Sequence, residues 1–341
     1  MLSFILLVNA LIIFYQKLPT VQEDAMSRHA ARTRLEKQQK APKPLPMDYT
    51  EKILSDLAQK EKKILIWLNL LAFAGLFIFG LGLFLDIRFL MARIRGQEFF
   101  RSKDKHIQPN WTVGDILRLS VIFIFLSYLV QIIQILLLPA SASADPGFMP
   151  LINTAVMDLA IFGFILYFVS VKYRQGLAAL GLKLKNSLRS VFQALLSYTA
   201  FLPVLAVVFL LLTILASIFD YSPAQQILFE IIFNEKGVGA LVFLAVLVVL
   251  IGPIVEEVFF RGFAYSALKK RCGVRKAMVL TAVIFAALHA NLFGFLPIML
   301  LGFLLAFVYE KTGSLISSIT IHALHNGLML GLSFLGRFCL T

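Results

Sequence analysis

The chain has 341 residues, of which 59% are hydrophobic and 15% charged, and its formal net charge is +13. A soluble domain of this length could not bury so much apolar surface, so the composition excludes an ordinary soluble enzyme and predicts a multi-pass membrane protein. The basic excess does not indicate nucleic-acid binding, because most Lys and Arg residues lie in short loops between apolar runs, where they set topology. The expected partner of most of the surface is the lipid bilayer.

The N-terminal region is predicted to contain a membrane anchor and a polar linker. Residues 1–17 are largely apolar but lack a basic n-region and a small-x-small cleavage site, which favours a signal anchor or interfacial helix over a cleaved signal peptide. Residues 18–63 carry ten basic and seven acidic residues and read as helical stretches around a Pro-rich hinge. The topology and role of residues 1–63 stay open.

Apolar runs that are long enough, or nearly so, to cross a membrane follow this linker. A spanning helix needs about 20 residues, and only helices satisfy their own backbone in lipid when no strand alternation is present. The sequence therefore predicts an all-α polytopic bundle of about eight transmembrane helices plus the short N-terminal apolar helix. The eight runs are 64–85, 117–139, 150–171, 190–216, 238–260, 277–293, 295–309 and 314–335.

The loop charges predict an orientation for these spans. Segments 88–118, 172–189 and 261–276 carry seven, five and six Lys or Arg residues, whereas 140–149 carries none. The positive-inside rule places the basic loops in the cytoplasm and the C-terminus outside. With no retention signal visible, we expect a bacterial plasma (inner) membrane.

Ionisable side chains interrupt the apolar C-terminal third. Glu256, Glu257, His289 and His322 all lie within apolar runs. Counted from the nearest basic loop at about 1.5 Å per helical residue, Glu256, His289, His322 and Asn326 lie about 17–22 Å deep on three separate helices. Ionisable groups at membrane depth cost several kcal/mol unless paired, so they indicate a functional site.

The two adjacent carboxylates are predicted to have different roles. Glu257 and Arg261 are four residues apart and share a helix face, so they can form an ion pair. Glu256 points about 100° away, which leaves it available as a general base that takes a proton from water. Gly252-Pro253, just before the pair, offers a helix break that would turn Glu256 towards a cavity.

The remaining site residues are predicted to act as donors or supports. His322 and Asn326, four residues apart, could present two donors to one point, as an oxyanion site requires. His289 could orient the water or shuttle a proton. Phe285, one turn earlier, is interpreted as packing that fixes the His289 imidazole rather than as a chemical group.

Two other polar residues in apolar runs are interpreted as structural. Asp158 stands alone in the third run, which favours structural pairing or pore lining over catalysis. His325 lies within a turn of His322, but a single imidazole in an apolar helix is usually a packing residue.

Metal dependence is left open by the sequence. Glu256, His289 and His322 could bind zinc as a two-histidine, one-carboxylate set with an open position. Asn326 is an unusual zinc ligand, so a site without metal or other cofactor is favoured. Loss of activity in the presence of a chelator would reverse this preference.

The motifs resemble those of a family of intramembrane proteases, the type II CAAX prenyl protease and bacteriocin-processing (abortive infection, CPBP) family. The resemblance rests on Glu-Glu-x-x-x-Arg at 256–261, Phe-x-x-x-His at 285–289 and His-x-x-x-Asn at 322–326. Segments 177–183 and 309–315 also look like the family, and the similarity covers about residues 172–335.

The resemblance implies a fold, a reaction and a class of substrate. Residues 64–171 would then be N-terminal transmembrane helices, and 172–341 a catalytic membrane domain with its cavity towards the cytoplasm and bilayer. The implied reaction is hydrolysis of a peptide bond near the C-terminus of a membrane-associated peptide or lipidated protein. The first glutamate would activate water, and the second histidine and the asparagine would stabilise the oxyanion. The exact substrate, any prenyl requirement and the oligomeric state are not determined.

Two other functions remain open at this point. A proton-coupled transporter could use the same buried Glu and His groups as a relay, although no internal repeat is visible. A non-catalytic immunity or adaptor protein could retain the fold without the chemistry. The zinc-protease motif His-Glu-x-x-His is absent from the sequence, which disfavours that class of intramembrane protease.

Overall fold

A computed structural model describes residues 47–97, 107–137, 148–183, 186–221, 227–235 and 237–340. The chain divides into two compact units, one of residues 8–77 and one of residues 1–7 and 78–341. In the first unit, the described residues are helical. The predicted anchor at 1–17 and most of the predicted linker at 18–63 lie outside the described residues.

The N-terminal half of the described chain consists of long apolar helices. Their outer faces carry exposed side chains such as Phe73, Phe125 and Leu210, at 79%, 64% and 61% exposure, which suits contact with lipid. The third helix continues into a π-helical segment at Tyr167–Lys172, and a 3₁₀ turn follows at Leu177–Leu180. The four helices are α1 Met47–Ile94, α2 Val113–Leu137, α3 Phe148–Leu166 and α4 Ser187–Ile218.

The C-terminal half contains a long helix of mixed hydrogen bonding and three further helices. The mixed helix follows the short α5 Ile227–Asn234 and changes between α- and π-type bonding four times along its length. Its segments are α6 Val238–Val246, π-helix Leu247–Ile251, α7 Gly252–Glu257, π-helix Val258–Tyr265 and α8 Ser266–Cys272. The last helices are α9 Val274–Leu288, α10 Phe295–Thr312 and α11 Leu315–Leu340.

The predicted all-α membrane bundle is confirmed, with one run shorter than expected. In the described part of the chain, seven helices are long and apolar enough to cross a membrane. The predicted span 277–293 is not among them, because α9 has 15 residues and ends where Ala290 turns to φ +46°. The run 295–309, which looked short, extends to 18 residues as α10. The protein is an integral multi-pass membrane protein.

The core of the second unit surrounds the π-helix Val258–Tyr265. All eight of its residues are buried, and Phe260 and Phe263 pack against aromatic rings from other helices. Trp111 stacks on Phe263 at 5.2 Å between ring centroids, and its indole N–H donates to the Phe263 carbonyl. The segment before α2 is thereby tied to the helix that carries the two glutamates.

The two outlying segments of the family resemblance lie against each other. The Tyr309 hydroxyl donates to the Leu180 carbonyl at 3.1 Å, and the Leu315 N–H donates to the Gly181 carbonyl at 2.9 Å. Gly181 has φ +87°, and a Cβ there would lie 2.7 Å from the Tyr309 ring. A side chain at residue 181 would therefore separate the segments, which explains the glycine.

A fully buried carboxylate stabilises the start of α2. Asp115 accepts hydrogen bonds from the backbone and hydroxyl of Thr112, from Arg118, from Lys172 and from the Tyr173 hydroxyl. Both carboxylate oxygens are used, so Asp115 joins α2 to the end of the third helix as a saturated structural group.

Candidate active site

The helix break predicted at Gly252-Pro253 is not present: the helix continues through Ile251 and Gly252 in helical conformation, and only its hydrogen-bonding pattern changes there. The Gly252 N–H donates to the Leu247 carbonyl, five residues back, and Pro253 stands in the first turn of α7. Proline has no N–H to donate. The carboxylates of Glu256 and Glu257 therefore close a short α-helical segment between two π-helical ones, an arrangement frequent at functional sites.

Pro253 also explains the position of Asn326. In a π-helix, the Val248 carbonyl would accept from the N–H of residue 253, which proline lacks. The Asn326 side-chain amide donates to that carbonyl at 2.9 Å instead. An amide nitrogen carries two hydrogens, so Asn326 can fix α11 against this segment and still donate a second hydrogen bond.

The predicted ion pair between Glu257 and Arg261 is confirmed. Arg261 Nη1 lies 2.7 Å from Glu257 Oε1, and Nη2 donates to the Gly302 carbonyl at 3.0 Å. Both charged side chains are fully buried. A Cβ at Gly302 would lie 3.2 Å from both the Ala282 Cα and the Phe285 ring, so α9 and α10 meet closely at this glycine.

His322 lies between the two carboxylates. Its Nδ1 is 2.9 Å from Glu257 Oε1, and its Nε2 is 3.8 Å from Glu256 Oε2. A carboxylate oxygen only accepts, so a hydrogen bond to Glu257 places a hydrogen on Nδ1 and directs Nε2 at Glu256. His322 is 2% exposed, so solvent does not compete for these contacts.

Glu256 and Glu257 each have a buried Oε2 without a hydrogen-bond partner among the described residues, but Glu257 is held through Oε1 by Arg261 and His322. Glu256 is 7% exposed. Arg261 pairs with Glu257, so of the two glutamates Glu256 is the one that stays available for another hydrogen-bond donor.

His289 and His322 flank the same aromatic ring. The centroid of Phe285 lies 4.6 Å from that of His289 and 5.6 Å from that of His322, and the Arg261 guanidinium carbon lies 4.6 Å from it. The Phe285 carbonyl lies 2.7 Å from His289 Nδ1 and fixes a hydrogen there, which leaves Nε2 for other partners. The packing role predicted for Phe285 fits these contacts.

The zinc alternative does not match this arrangement. Across the described residues, no group of three or more His, Cys, Asp or Glu side chains is placed to hold a metal ion. Glu256 Oε2 lies 3.8 Å from His322 Nε2, and the Nδ1 atoms of His289 and His322 lie against the Phe285 carbonyl and Glu257. Chelator treatment is the test of metal dependence.

The structure thus brings Glu256, Glu257, Arg261 and His322 into one cluster and links His289 to it through Phe285. Asn326 lies one turn from His322 but contacts Val248 rather than a carboxylate. His325 contacts the Tyr198 hydroxyl at 3.2 Å, which agrees with a packing role.

Three contributors were not predicted from the sequence. Gly302 and Val248 act through their carbonyl oxygens, and backbone acceptors leave no sequence signal beyond the nearby Pro253. Asp158 is 3% exposed and lies on α3, which packs against α7. The sequence feature that could have indicated a position near the site is that Asp158 is a lone acidic residue in an apolar run.

Comparison with known proteins places this cluster within a family match. A family model described as type II CAAX prenyl endopeptidase Rce1-like matches residues 238–328, less than half of the chain. The chain is 34% identical over 77 residues to "Putative membrane peptidase YdiL" of Bacillus subtilis (strain 168), a match that covers 23% of this chain and 32% of that protein. No solved structure matches the chain. The resemblance predicted from the motifs is thereby confirmed for the segment that holds all seven predicted site residues, which is similar to the type II CAAX prenyl endopeptidase family.

Proposed function

We propose that this protein is an intramembrane endopeptidase that hydrolyses peptide bonds near the C-terminus of membrane-associated peptides or lipidated proteins. The observation that carries the proposal is a buried carboxylate oxygen of Glu256 without a partner, 3.8 Å from an imidazole nitrogen. The family match of residues 238–328 supports the class of substrate.

The spacing between Glu256 and His322 suits the binding of one water molecule. An oxygen atom about 2.8 Å from both Glu256 Oε2 and His322 Nε2 is compatible with their 3.8 Å separation. Glu256 then accepts a proton from this water while the water oxygen forms a bond to the substrate's carbonyl carbon.

The remaining polar groups would stabilise the negative charge that develops on the carbonyl oxygen. His322, whose Nδ1 is held by Glu257, is assigned to this role through Nε2, and Asn326 donates its second amide hydrogen. Glu256 next passes its proton to the leaving nitrogen, the C–N bond breaks, and a carboxylic acid and an amine are released. His289, fixed through Nδ1, is assigned to orienting the water or moving a proton from Nε2.

The ion pair of Glu257 and Arg261 is assigned to positioning. Arg261 holds Glu257 and the α10 backbone together, and Glu257 in turn sets the direction of His322. Glu257 is thereby held through Oε1 on two sides, so we assign the proton transfer to Glu256.

The experiment that tests the proposal is mass spectrometry of a peptide pool, free and prenylated, after incubation with the purified protein in detergent and lipid. Glu256→Ala is the inactive comparison, and Asp115→Asn is the matched control, because it alters a buried carboxylate outside the site. A parallel set contains a metal chelator. We expect products from the unaltered protein and the control, and none from Glu256→Ala.

The result that would overturn the proposal is equally concrete. If folded protein yields the same peptides as Glu256→Ala in every pool, it is not a peptidase for these substrate classes. Proton uptake into vesicles that depends on Glu256 would then favour the transporter alternative.

A further inference from the structure

A cavity of about 370 Å³ is lined by residues of α1, α4 and α10. On each helix the lining residues recur at intervals of three, four or seven, as in Phe201 and Val204 or Leu304 and Phe307. Such intervals place them on one helix face, so three helix faces converge on the same space. None of the predicted catalytic residues lines it.

The lining changes from basic to apolar along the helix axes. Arg93 and Lys311 line the cavity from the last turns of α1 and α10, next to the basic loops. Phe201, Val204 and Leu304 line its apolar part. A ligand that fits this gradient has an anionic head and an apolar tail.

We infer that this cavity binds one anionic phospholipid from the leaflet that faces the basic loops. Its phosphate group interacts with Arg93 and Lys311, and one acyl chain lies along the apolar faces of α4 and α10. Basic pockets between transmembrane helices bind anionic headgroups through this combination of charge and apolar contact. A free inorganic anion lacks the tail that the apolar part would hold.

The acidic residue in the lining supports this direction of binding. Asp86 lies seven residues before Arg93 on the same face of α1, roughly 10 Å deeper. Its negative charge opposes deeper entry of a phosphate and keeps the head at the basic end.

Access from the bilayer is available at the α4 side. Val204 lines the cavity and is 45% exposed, whereas Ala200, one turn away, is 5% exposed and lies further inside. An acyl chain can therefore enter sideways from the bilayer rather than through an aqueous opening.

The first test uses native mass spectrometry of protein released from vesicles of equal parts phosphatidylcholine and phosphatidylglycerol. We expect one phosphatidylglycerol to be retained in preference to phosphatidylcholine. Arg93→Gln and Lys311→Gln should each weaken retention roughly fivefold, since one basic charge near the membrane surface contributes about that factor. Arg95→Gln is the matched control, because Arg95 has the same charge two residues away and does not line the cavity. It should retain lipid as the unaltered protein does.

Equal retention of both lipids, or equal effects of Arg93→Gln and Arg95→Gln, would overturn the inference. A photo-crosslinking residue at position 204 identifies the occupant directly. We expect a crosslink to phospholipid, and a crosslink to residues 1–46 of this chain or to a second protein would contradict it. These readouts involve no peptide hydrolysis, so they are independent of the proposed function.

Discussion

Two buried carboxylates in this protein have opposite surroundings. Asp115 at the start of α2 is fully buried and accepts hydrogen bonds from four residues, so both its oxygens are saturated. Glu256 is 7% exposed and keeps one oxygen without a partner beside the His322 imidazole. A buried carboxylate oxygen without a partner is costly, and Glu257 also has one, but Glu257 is paired with Arg261 whereas Glu256 is not. Asp115 and Glu256 are both buried, so their hydrogen bonding, rather than their burial, separates these two carboxylates.

The largest expected difference between the two carboxylates is in activity, and it is tested by neutralising Glu256. Glu256→Gln keeps the size of the side chain but removes the base, so we expect kcat/KM to fall about a thousandfold. Thermal unfolding should change little, because no hydrogen bond of Oε2 is lost. Initial rates and unfolding curves on the same preparation check both parts, and Glu256→Gln with near-normal rates would remove Glu256 from the mechanism.

The second-largest effect is expected in stability. Arg261→Met leaves the Glu257 charge buried without its guanidinium partner and the Gly302 carbonyl without its donor, so unfolding should cost about 3 kcal/mol less. The double variant Glu257→Leu with Arg261→Met removes both charges and should be less destabilised than Arg261→Met alone. Thermal unfolding in detergent gives the comparison, and strictly additive effects would mean that the pair is not coupled.

Asp115→Asn tests whether the other carboxylate contributes to stability but not to activity. It weakens several charge-assisted hydrogen bonds, so we expect a loss of about 2 kcal/mol in unfolding free energy. Activity per folded molecule should stay within about twofold of normal, because Asp115 lies outside the cluster. An Asp115→Asn protein that is stable but inactive would show that the two carboxylates are functionally linked.

The smallest effect separates two roles of Asn326. Asn326→Leu removes the donor to the Val248 carbonyl and should cost about 1 kcal/mol of stability. In a Pro253→Ala background the new N–H can serve that carbonyl, so the same change should cost less stability there. If Asn326 also stabilises the oxyanion, Asn326→Leu should lower activity equally in the unaltered and the Pro253→Ala backgrounds. If activity recovers together with stability in the Pro253→Ala background, Asn326 has a structural role only.

The sequence was informative about this site wherever spacing on one helix decides the contact. Glu257 and Arg261 four residues apart form the predicted ion pair, and Phe285 packs on His289 one turn later. It was less informative where contacts join helices far apart in the chain. The separation of His322 from Glu256, the carbonyl that accepts from Asn326 and the carbonyl that accepts from Arg261 all depend on how the mixed helix, α10 and α11 pack.

By itself, the sequence determined that the chain is an all-α membrane protein, because apolar runs of spanning length have no other way to satisfy their backbone. It also located the polar residues whose burial demands an explanation. Only the tertiary structure decided which carboxylate is saturated, since that depends on partners brought from other helices. The tertiary structure also decided that the helix in the run 277–293 ends before Ala290, and that the Val248 carbonyl accepts a hydrogen bond from Asn326. Backbone hydrogen bonding and packing set these details, and residue types alone do not encode them.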